Sequence, residues 1–373
     1  MNHTFYLEAS AAMKVRESIR RLETYNPPLD IRTERDYLLL DFSESTRAPD
    51  AAVGQALKDY IDGGRLRMYP AYGRFVEHLA EYAGARPDEV LPTNGSDGAI
   101  QLVTQALLED GDEVIMAQPG FFVIESCARA CGATVIAPSY RQPGMDFPFE
   151  EIRAAITPKT KLIVVINPNN PTGTTVPMDQ IETLLRENPE TCVMVDEAYH
   201  EFSGLTAIPL LPRYPNLVVT RTFSKAFALA GLRLGYVVAR AEFISEINKI
   251  RIPYDVNSLA VVAAEVQLRD QESWRGYVSE VMEKAKPMVE RFFDEVGVTY
   301  VPSQANFLLV RPDDVQGAFQ ALQAANILVR PQRGMVADCF RMSIGTVAEM
   351  ERFISVYREF LAGRGKQAAG GAP

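Results

Sequence analysis

Between Val90 and Ala239 the chain alternates short, almost wholly apolar runs with amphipathic stretches of helical period. The runs Glu113–Ala117, Thr134–Pro138, Lys161–Ile166, Thr191–Val195, Leu217–Arg221 and Gly235–Ala239 are predicted strands. A half-exposed strand would alternate apolar with polar residues, so near-continuous apolarity predicts a parallel sheet buried on both faces by helices. Gly98–Glu109 keeps Ile100, Val103 and Leu107 on one helical face. Asn94-Gly95-Ser96-Asp97 precedes it as a start signal, which predicts a helix from about Asp97.

Beyond Ala239 the texture changes to longer helical segments, Val256–Leu268 and Glu272–Val296, followed by strands at Asn306–Val310 and Phe340–Ile344. This predicts a second, smaller α+β domain. A short strand at Tyr37–Phe42 suggests that the N-terminal segment joins it. The expected division is residues 1–45 with the small domain, 46–255 as the large domain and 256–362 as the rest of the small one. The Gly/Ala-rich stretch 363–373 is expected to be a disordered tail.

Composition narrows the function more than the fold. A chain of 373 residues exceeds the usual single core, which agrees with two domains. A formal charge of −10 argues against a nucleic-acid or anionic membrane surface. The first ten residues lack a basic region followed by an apolar core, and no run is long and apolar enough to span a bilayer, so a cytoplasmic location is expected. Cys127, Cys131, Cys192 and Cys339 show no CxxC spacing and read as reduced core thiols rather than a metal site. With only His3, His78 and His200 available, proton transfer falls to another kind of group.

Lys225 is that candidate. It lies in Thr222-Phe223-Ser224-Lys225-Ala226-Phe227-Ala228-Leu229-Ala230-Gly231-Leu232-Arg233. An amine attacks a carbonyl only when neutral, and the apolar residues after Lys225 offer the burial that lowers a lysine pKa. Ser224 and Arg233 suit a phosphate dianion. Taken alone, the segment reads equally well as a partly buried lysine in a packing turn.

Three further clusters follow predicted strands, where ligands bind in open α/β sheets. Asn167-Pro168-Asn169-Asn170-Pro171-Thr172-Gly173 is either ordinary turn chemistry or a rigid mount for the Asn170 amide, aimed at a phenolate. Asp196-Glu197-Ala198-Tyr199 places a carboxylate at a buried strand end, where it caps a turn or pairs with a protonated pyridine nitrogen. Ser96 and Asp97 open a helix whose free amides favour an anion, and Phe121 follows a strand where an aromatic can stack on a flat ring.

Together these runs resemble the fold-type I pyridoxal-phosphate aminotransferases, in the histidinol-phosphate aminotransferase-like branch, over roughly Tyr25 to Thr346. The resemblance implies a mostly parallel seven-stranded sheet in the large domain and pyridoxal 5'-phosphate as cofactor. It implies Lys225 as the Schiff-base lysine, Asp196 on the pyridine nitrogen, and Asn170 and Tyr199 on the phenolate oxygen. Ser96, Asp97, Thr222, Ser224 and Arg233 would hold the phosphate, with Phe121 stacking on the ring. Tyr69 matches a tyrosine lent to the neighbouring subunit's phosphate site, which implies a homodimer. Arg341 matches an arginine that grips a substrate anion, and Tyr25 and Arg330 match positions used on a substrate phosphate. The expected reaction moves an amino group from an amino acid or amino-alcohol phosphate to a 2-oxo acid such as 2-oxoglutarate, with Lys225 as the acid-base group. An aromatic or other biosynthetic transaminase, or a decarboxylase or lyase on the same scaffold, is the alternative.

Two positions depart from the pattern: Ser43-Glu44-Ser45 stands where relatives carry Asn-Glu-Asn, and Gly98 where they carry an acidic residue.

Overall fold

A computed structural model of the chain describes residues 13–24 and 26–370, with side chains as far as residue 363. Strand β1 (Leu38–Leu39) precedes seven others: β2 (Val90–Asn94), β3 (Glu113–Met116), β4 (Thr134–Ile136), β5 (Thr160–Ile166), β6 (Cys192–Asp196), β7 (Leu217–Thr222) and β8 (Leu234–Ala239). These seven form one sheet in the order β2-β8-β7-β6-β5-β3-β4. Only β8 is reversed, antiparallel to both β2 and β7. The pairs β3–β4, β3–β5, β5–β6 and β6–β7 are parallel.

The six strands predicted from apolar runs are all present, each within two residues of its expected bounds. Their two-sided burial is visible in the packing. Ile163, Val165, Val193, Val195 and Val219 belong to one apolar cluster, whereas the intervening Leu162, Val164, Ile166, Met194 and Val218 belong to a second. Alternate side chains therefore feed separate cores above and below the sheet. The seventh strand, β2, carries Pro92 and ends in Thr93-Asn94, which hides it from an apolar-run reading. Proline has no ladder donor and is tolerated at a sheet edge, which is where β2 lies.

The helix expected from Asp97 spans Gly95–Leu107, and the next expected helix spans Ser258–Arg269. The long helix expected over residues 272–296 is continuous but uneven: α-helix over Glu272–Ser279, a π-helical segment over Glu280–Ala285, then α-helix over Lys286–Val296. Pro287 accounts for the irregularity. Its ring crowds the carbonyl one turn back and it offers no donor, so the chain widens there.

The C-terminal half adds β9 (Thr299–Val301), β10 (Phe307–Arg311), β11 (Ile327–Leu328), β12 (Arg330–Pro331) and β13 (Phe340–Ser343). An antiparallel sheet runs β12-β13-β10-β9, and β1 pairs in parallel with β11. The strand predicted over Tyr37–Phe42 is reduced to Leu38–Leu39, because its partner β11 is only two residues long and the next carbonyls turn to other donors, Leu40 to Ser343 N–H and Asp41 to Arg341 Nη2, both at 2.8 Å. The last helix, Val347–Gly370, continues through residues 363–370, so secondary structure extends into the stretch expected to be a disordered tail. Among the described residues no helix is long and apolar enough to cross a membrane.

A capping box starts that helix. Thr346 N–H donates to Glu349 Oε2 at 2.7 Å and Glu349 N–H to Thr346 Oγ1 at 3.4 Å. Glu349 also accepts from Thr46 Oγ1 at 2.6 Å, which ties the loop after β1 to the C-terminal helix. A Cβ on Gly345 would lie 2.3 Å from Glu349 Oε2. Thr346→Ala is expected to lower unfolding free energy by about 1 kcal/mol in urea titrations. Gly345→Ala is expected to cost more, because it displaces the carboxylate from both of its roles.

Candidate active site

The sheet register brings the chemistry together. In the parallel ladders Ile166 lies opposite Asp196, and Asp196 opposite Thr220. The loop after β5, the end of β6 and the turn after β7 therefore share one carboxyl edge, the position where such sheets bind ligands.

Asp196 is buried, and Thr220 Oγ1 donates to its Oδ1 at 3.0 Å. Its carboxyl is pushed up to about 7, first by burial and further by the charges of Asp97 and Glu197, against the hydrogen bonds from Thr220 and the Ala198 backbone. Lys225 Nζ donates to the Phe42 carbonyl at 2.8 Å and lies 5.9 Å from the centroid of the Tyr199 ring. Its amine is lowered to about 8, mainly by burial and then by the Arg341 charge, with Glu44 and Asp97 opposing. Tyr199 is buried and packs edge-on against Phe307 with centroids 5.0 Å apart.

A second cluster forms around Arg233. Its Nη2 donates to Asp97 Oδ2 at 2.9 Å and its Nη1 to Ser224 Oγ at 3.3 Å. Thr222 Oγ1 donates to Ser224 Oγ at 2.9 Å and accepts the Ser224 N–H at 3.1 Å. Two glycines make this closeness possible. A Cβ on Gly95, at φ +70°, would lie 2.6 Å from Arg233 Nη2, and one on Gly235 would lie 2.4 Å from the Ser96 nitrogen. Ser96 and Asp97 thus stand in the first turn of Gly95–Leu107, beside Ser224 and Arg233.

Asn170 Oδ1 accepts from Arg341 Nη1 at 2.5 Å, and Arg341 Nη2 donates to the Asp41 carbonyl at 2.8 Å. Arg330 and Arg341 are register partners across β12 and β13, and the Arg330 guanidinium lies 5.1 Å from the Phe42 ring centroid. Phe121 is half-buried at the start of Phe122–Ala130. Tyr69 stands apart from the cluster, 78% exposed and stacked on Tyr254 at 4.4 Å. Tyr25 lies outside the described residues.

Sequence reasoning missed Phe42, whose carbonyl holds the lysine amine, and Thr220, which holds Asp196. Neither bears a motif: one acts through its backbone, and the other is one strand residue among many. The departure at Ser43 has a structural correlate. Its left-handed backbone is the kind asparagine tolerates well, and here the turn is held instead by Ser43 N–H to Ser343 Oγ at 2.9 Å and Asn306 Nδ2 to the Ser43 carbonyl at 3.2 Å. At Gly98 a Cβ would meet Asn94 and Thr93 Cβ atoms at 3.7 and 3.8 Å, ordinary contact distances, so the missing acidic side chain is not excluded by space.

A buried carboxylate held only by neutral donors, a nearby lysine with a lowered pKa, and an anion cradle at a helix start form the donor set of a pyridoxal 5'-phosphate site. The carboxylate suits a protonated ring nitrogen, and the glycine-opened cradle suits the phosphate. These features define the class: an enzyme that works on amines through this cofactor.

Comparison with known proteins gives the family. Residues 35–356 match Aminotransferase class I and II, and the chain belongs to that family. It is therefore a transaminase dependent on pyridoxal 5'-phosphate. It is 36% identical over 361 residues to histidinol-phosphate aminotransferase 2 of Hydrogenovibrio crunogenus, covering 92% of this chain and 95% of the relative. It is 38% identical to histidinol-phosphate aminotransferase 2 of Ralstonia nicotianae, covering 86% and 87%. In fold it resembles histidinol-phosphate aminotransferase from Sinorhizobium meliloti in complex with pyridoxal-5'-phosphate, with a TM-score of 0.85 at 24% identity over 95% of this chain and 99% of that one.

The lowered lysine pKa gives a direct test. In cofactor-free protein, acylation of Lys225 by a limiting amine reagent is expected to rise with pH around a midpoint near 8, read by peptide mass spectrometry. Labelling that rises only in the range of an ordinary lysine would contradict the burial of this amine.

Proposed function

We propose that this transaminase takes its amino group from an amino-alcohol phosphate of the histidinol-phosphate type and passes it to a 2-oxo acid such as 2-oxoglutarate. The observation that carries the reading is the placement of Arg330 directly opposite Arg341 in the β12–β13 ladder. Like charges facing each other across strands are destabilising, so their juxtaposition fits a need to bind anions. Arg341 suits a carboxylate of the 2-oxo acid and Arg330 a distal phosphate, with Tyr25 as a further donor. The substrate named for the relatives carries such a phosphate, and identities of 36% and 38% support the transfer.

When bound, pyridoxal phosphate supplies an electron sink for the carbanion that forms as the substrate C–H bond breaks. This chain's residues do the rest. Lys225 Nζ would hold the cofactor through its aldehyde carbon, and as the free amine it would move the proton at the substrate carbon. Its lowered pKa keeps a useful fraction neutral near pH 7, as a base needs. Asp196 would keep the ring nitrogen protonated, Asn170 and Tyr199 would bind the phenolate oxygen, and Phe121 would cover the ring. Ser96, Asp97, Thr222, Ser224 and Arg233 hold the phosphate.

Tyr69 serves the other subunit of a homodimer. Its exposure beside Met68, Ile252 and Tyr254, all exposed apolar residues, supports a contact surface there. Residues 46–255 act as the cofactor-binding domain and residues 1–45 with 256–362 as the substrate-facing one, and the enzyme works in the cytoplasm.

The test is a donor screen read as loss of the absorbance of lysine-bound cofactor, with histidinol phosphate, phenylalanine, tyrosine and leucine. Histidinol phosphate is expected to dominate. Arg330→Met is expected to raise KM for that donor by roughly 10- to 100-fold, the cost of losing a charged hydrogen-bond partner, while sparing leucine. Lys225→Ala is expected to abolish turnover with the fold intact. Equal rates for all donors would remove the phosphate reading, and release of carbon dioxide in place of a carbonyl product would indicate a decarboxylase.

A further inference from the structure

Successive residues of a strand face opposite sides of the sheet, so the residues that follow Asp196 and Thr220 point away from the cofactor side. They are Glu197 and Arg221, and they form a buried ion pair with side chains 1% and 3% exposed. Glu197 Oε2 accepts from Arg221 Nε at 2.9 Å and from Nη2 at 2.8 Å. Its Oε1 accepts the Ala207 N–H at 2.6 Å. Arg221 Nη2 also donates to Thr206 Oγ1 at 2.7 Å, and Nη1 to the Tyr236 hydroxyl at 3.4 Å. Tyr236 is the register partner of Arg221 on β8.

The pair therefore joins the ends of β6 and β7, the start of β8 and the loop at Thr206-Ala207, on the residues that directly follow Asp196 and Thr220. Stability alone is a poor account of it. Buried ion pairs are commonly matched by apolar pairs of equal volume, whereas a carboxylate held at Oε2 by two guanidinium nitrogens and at Oε1 by a backbone N–H has a fixed place and orientation. Asp196 precedes Glu197 by one residue, and Lys225 follows Arg221 by four in the turn that leaves β7.

We propose that Arg221 and Glu197 are positioning residues which set the separation and orientation of Asp196 and Lys225 from the reverse face of the sheet. The proposal rests on the roles given above to Asp196 and Lys225. Asp196 is faced by Thr220 on β7, by Asp97 on Gly95–Leu107 and by Glu197 itself. Lys225 is faced by Arg341 on β13, by Glu44, by Asp97 and by Arg233. On the reverse face Glu201, Tyr236, Tyr82 and His200 share the surroundings of Arg221.

Three holoenzymes test it: Arg221→Lys, Glu197→Gln, and the double variant Glu197→Leu with Arg221→Met. Each is measured for melting temperature, bound cofactor, the pH midpoint of the lysine-bound cofactor absorbance, and kcat and KM for the amino donor. Arg221→Lys keeps the charge and loses the fork. It is expected to retain cofactor while the absorbance midpoint moves and kcat falls by up to about 100-fold at nearly unchanged KM, the scale of a small misplacement of reacting groups. The double variant removes both charges together but leaves the buried Ala207 N–H without its acceptor, so it is expected to melt somewhat lower while retaining cofactor, with the same displaced midpoint and low kcat. Parental midpoint and kcat in either the lysine or the double variant would overturn the proposal. Absence of lysine-bound cofactor from the unmodified enzyme would instead overturn the assignment of Lys225.

Discussion

Keeping a carboxylate and an amine out of water at adjoining strand ends is the constraint on which the rest of this structure depends. Burial pushes Asp196 toward its neutral form and Lys225 likewise. For the lysine that is the useful direction, since only the free amine attacks a carbonyl. For the aspartate it is adverse, since pairing with a ring cation needs the carboxylate. One environment thus creates both the reactive amine and a carboxylate whose charge awaits a cationic partner. A positively charged pyridine nitrogen resolves the second problem, which is why the apparent defect of Asp196 fits a cofactor site better than a structural cap does.

The same edge must also hold an anion, and the sheet topology supplies it cheaply. Because β8 runs against β2 and β7, Gly235 lies between Thr93 and Thr222, and its missing side chain lets the start of Gly95–Leu107 come down onto the sheet. The free amides of that helix, the Ser224 hydroxyl and Arg233 then converge. Asp97 partly balances the arginine in the bare protein, so the cradle carries moderate rather than extreme positive charge before a phosphate arrives.

Much of this was legible in the sequence, for reasons that differ from place to place. Strands buried on two faces are apolar along most of their length, polar residues gathering at their ends, so β3 through β8 announce themselves. Strand β2 did not, because an edge strand can carry proline and polar residues. The residues proposed for the cofactor could be picked out because such chemistry needs particular side chains in particular order: a lysine between hydroxyls and an arginine, an aspartate at a strand end. Where a backbone atom does the work, as the Phe42 carbonyl does for Lys225, nothing in the residue's identity reveals it. The π-helical turn before Pro287 was equally hidden, since its apolar spacing still reads as an ordinary helix.

The placement of Arg330 opposite Arg341 carries a cost in folding. Two guanidiniums in register on neighbouring strands repel, and the Asp41 carboxylate beside Arg330 opposes this. Arg341 spends its donors on Asn170 and the Asp41 carbonyl, and Arg330 leans on the Phe42 ring. Phe42 thereby joins both halves of the site, its carbonyl on the lysine and its ring beneath an arginine. Arg330 and Lys225 therefore rest on the same residue, one on its ring and one on its carbonyl. The turn that carries Phe42 is held at Ser43, whose N–H donates to Ser343 Oγ and whose carbonyl accepts from Asn306 Nδ2.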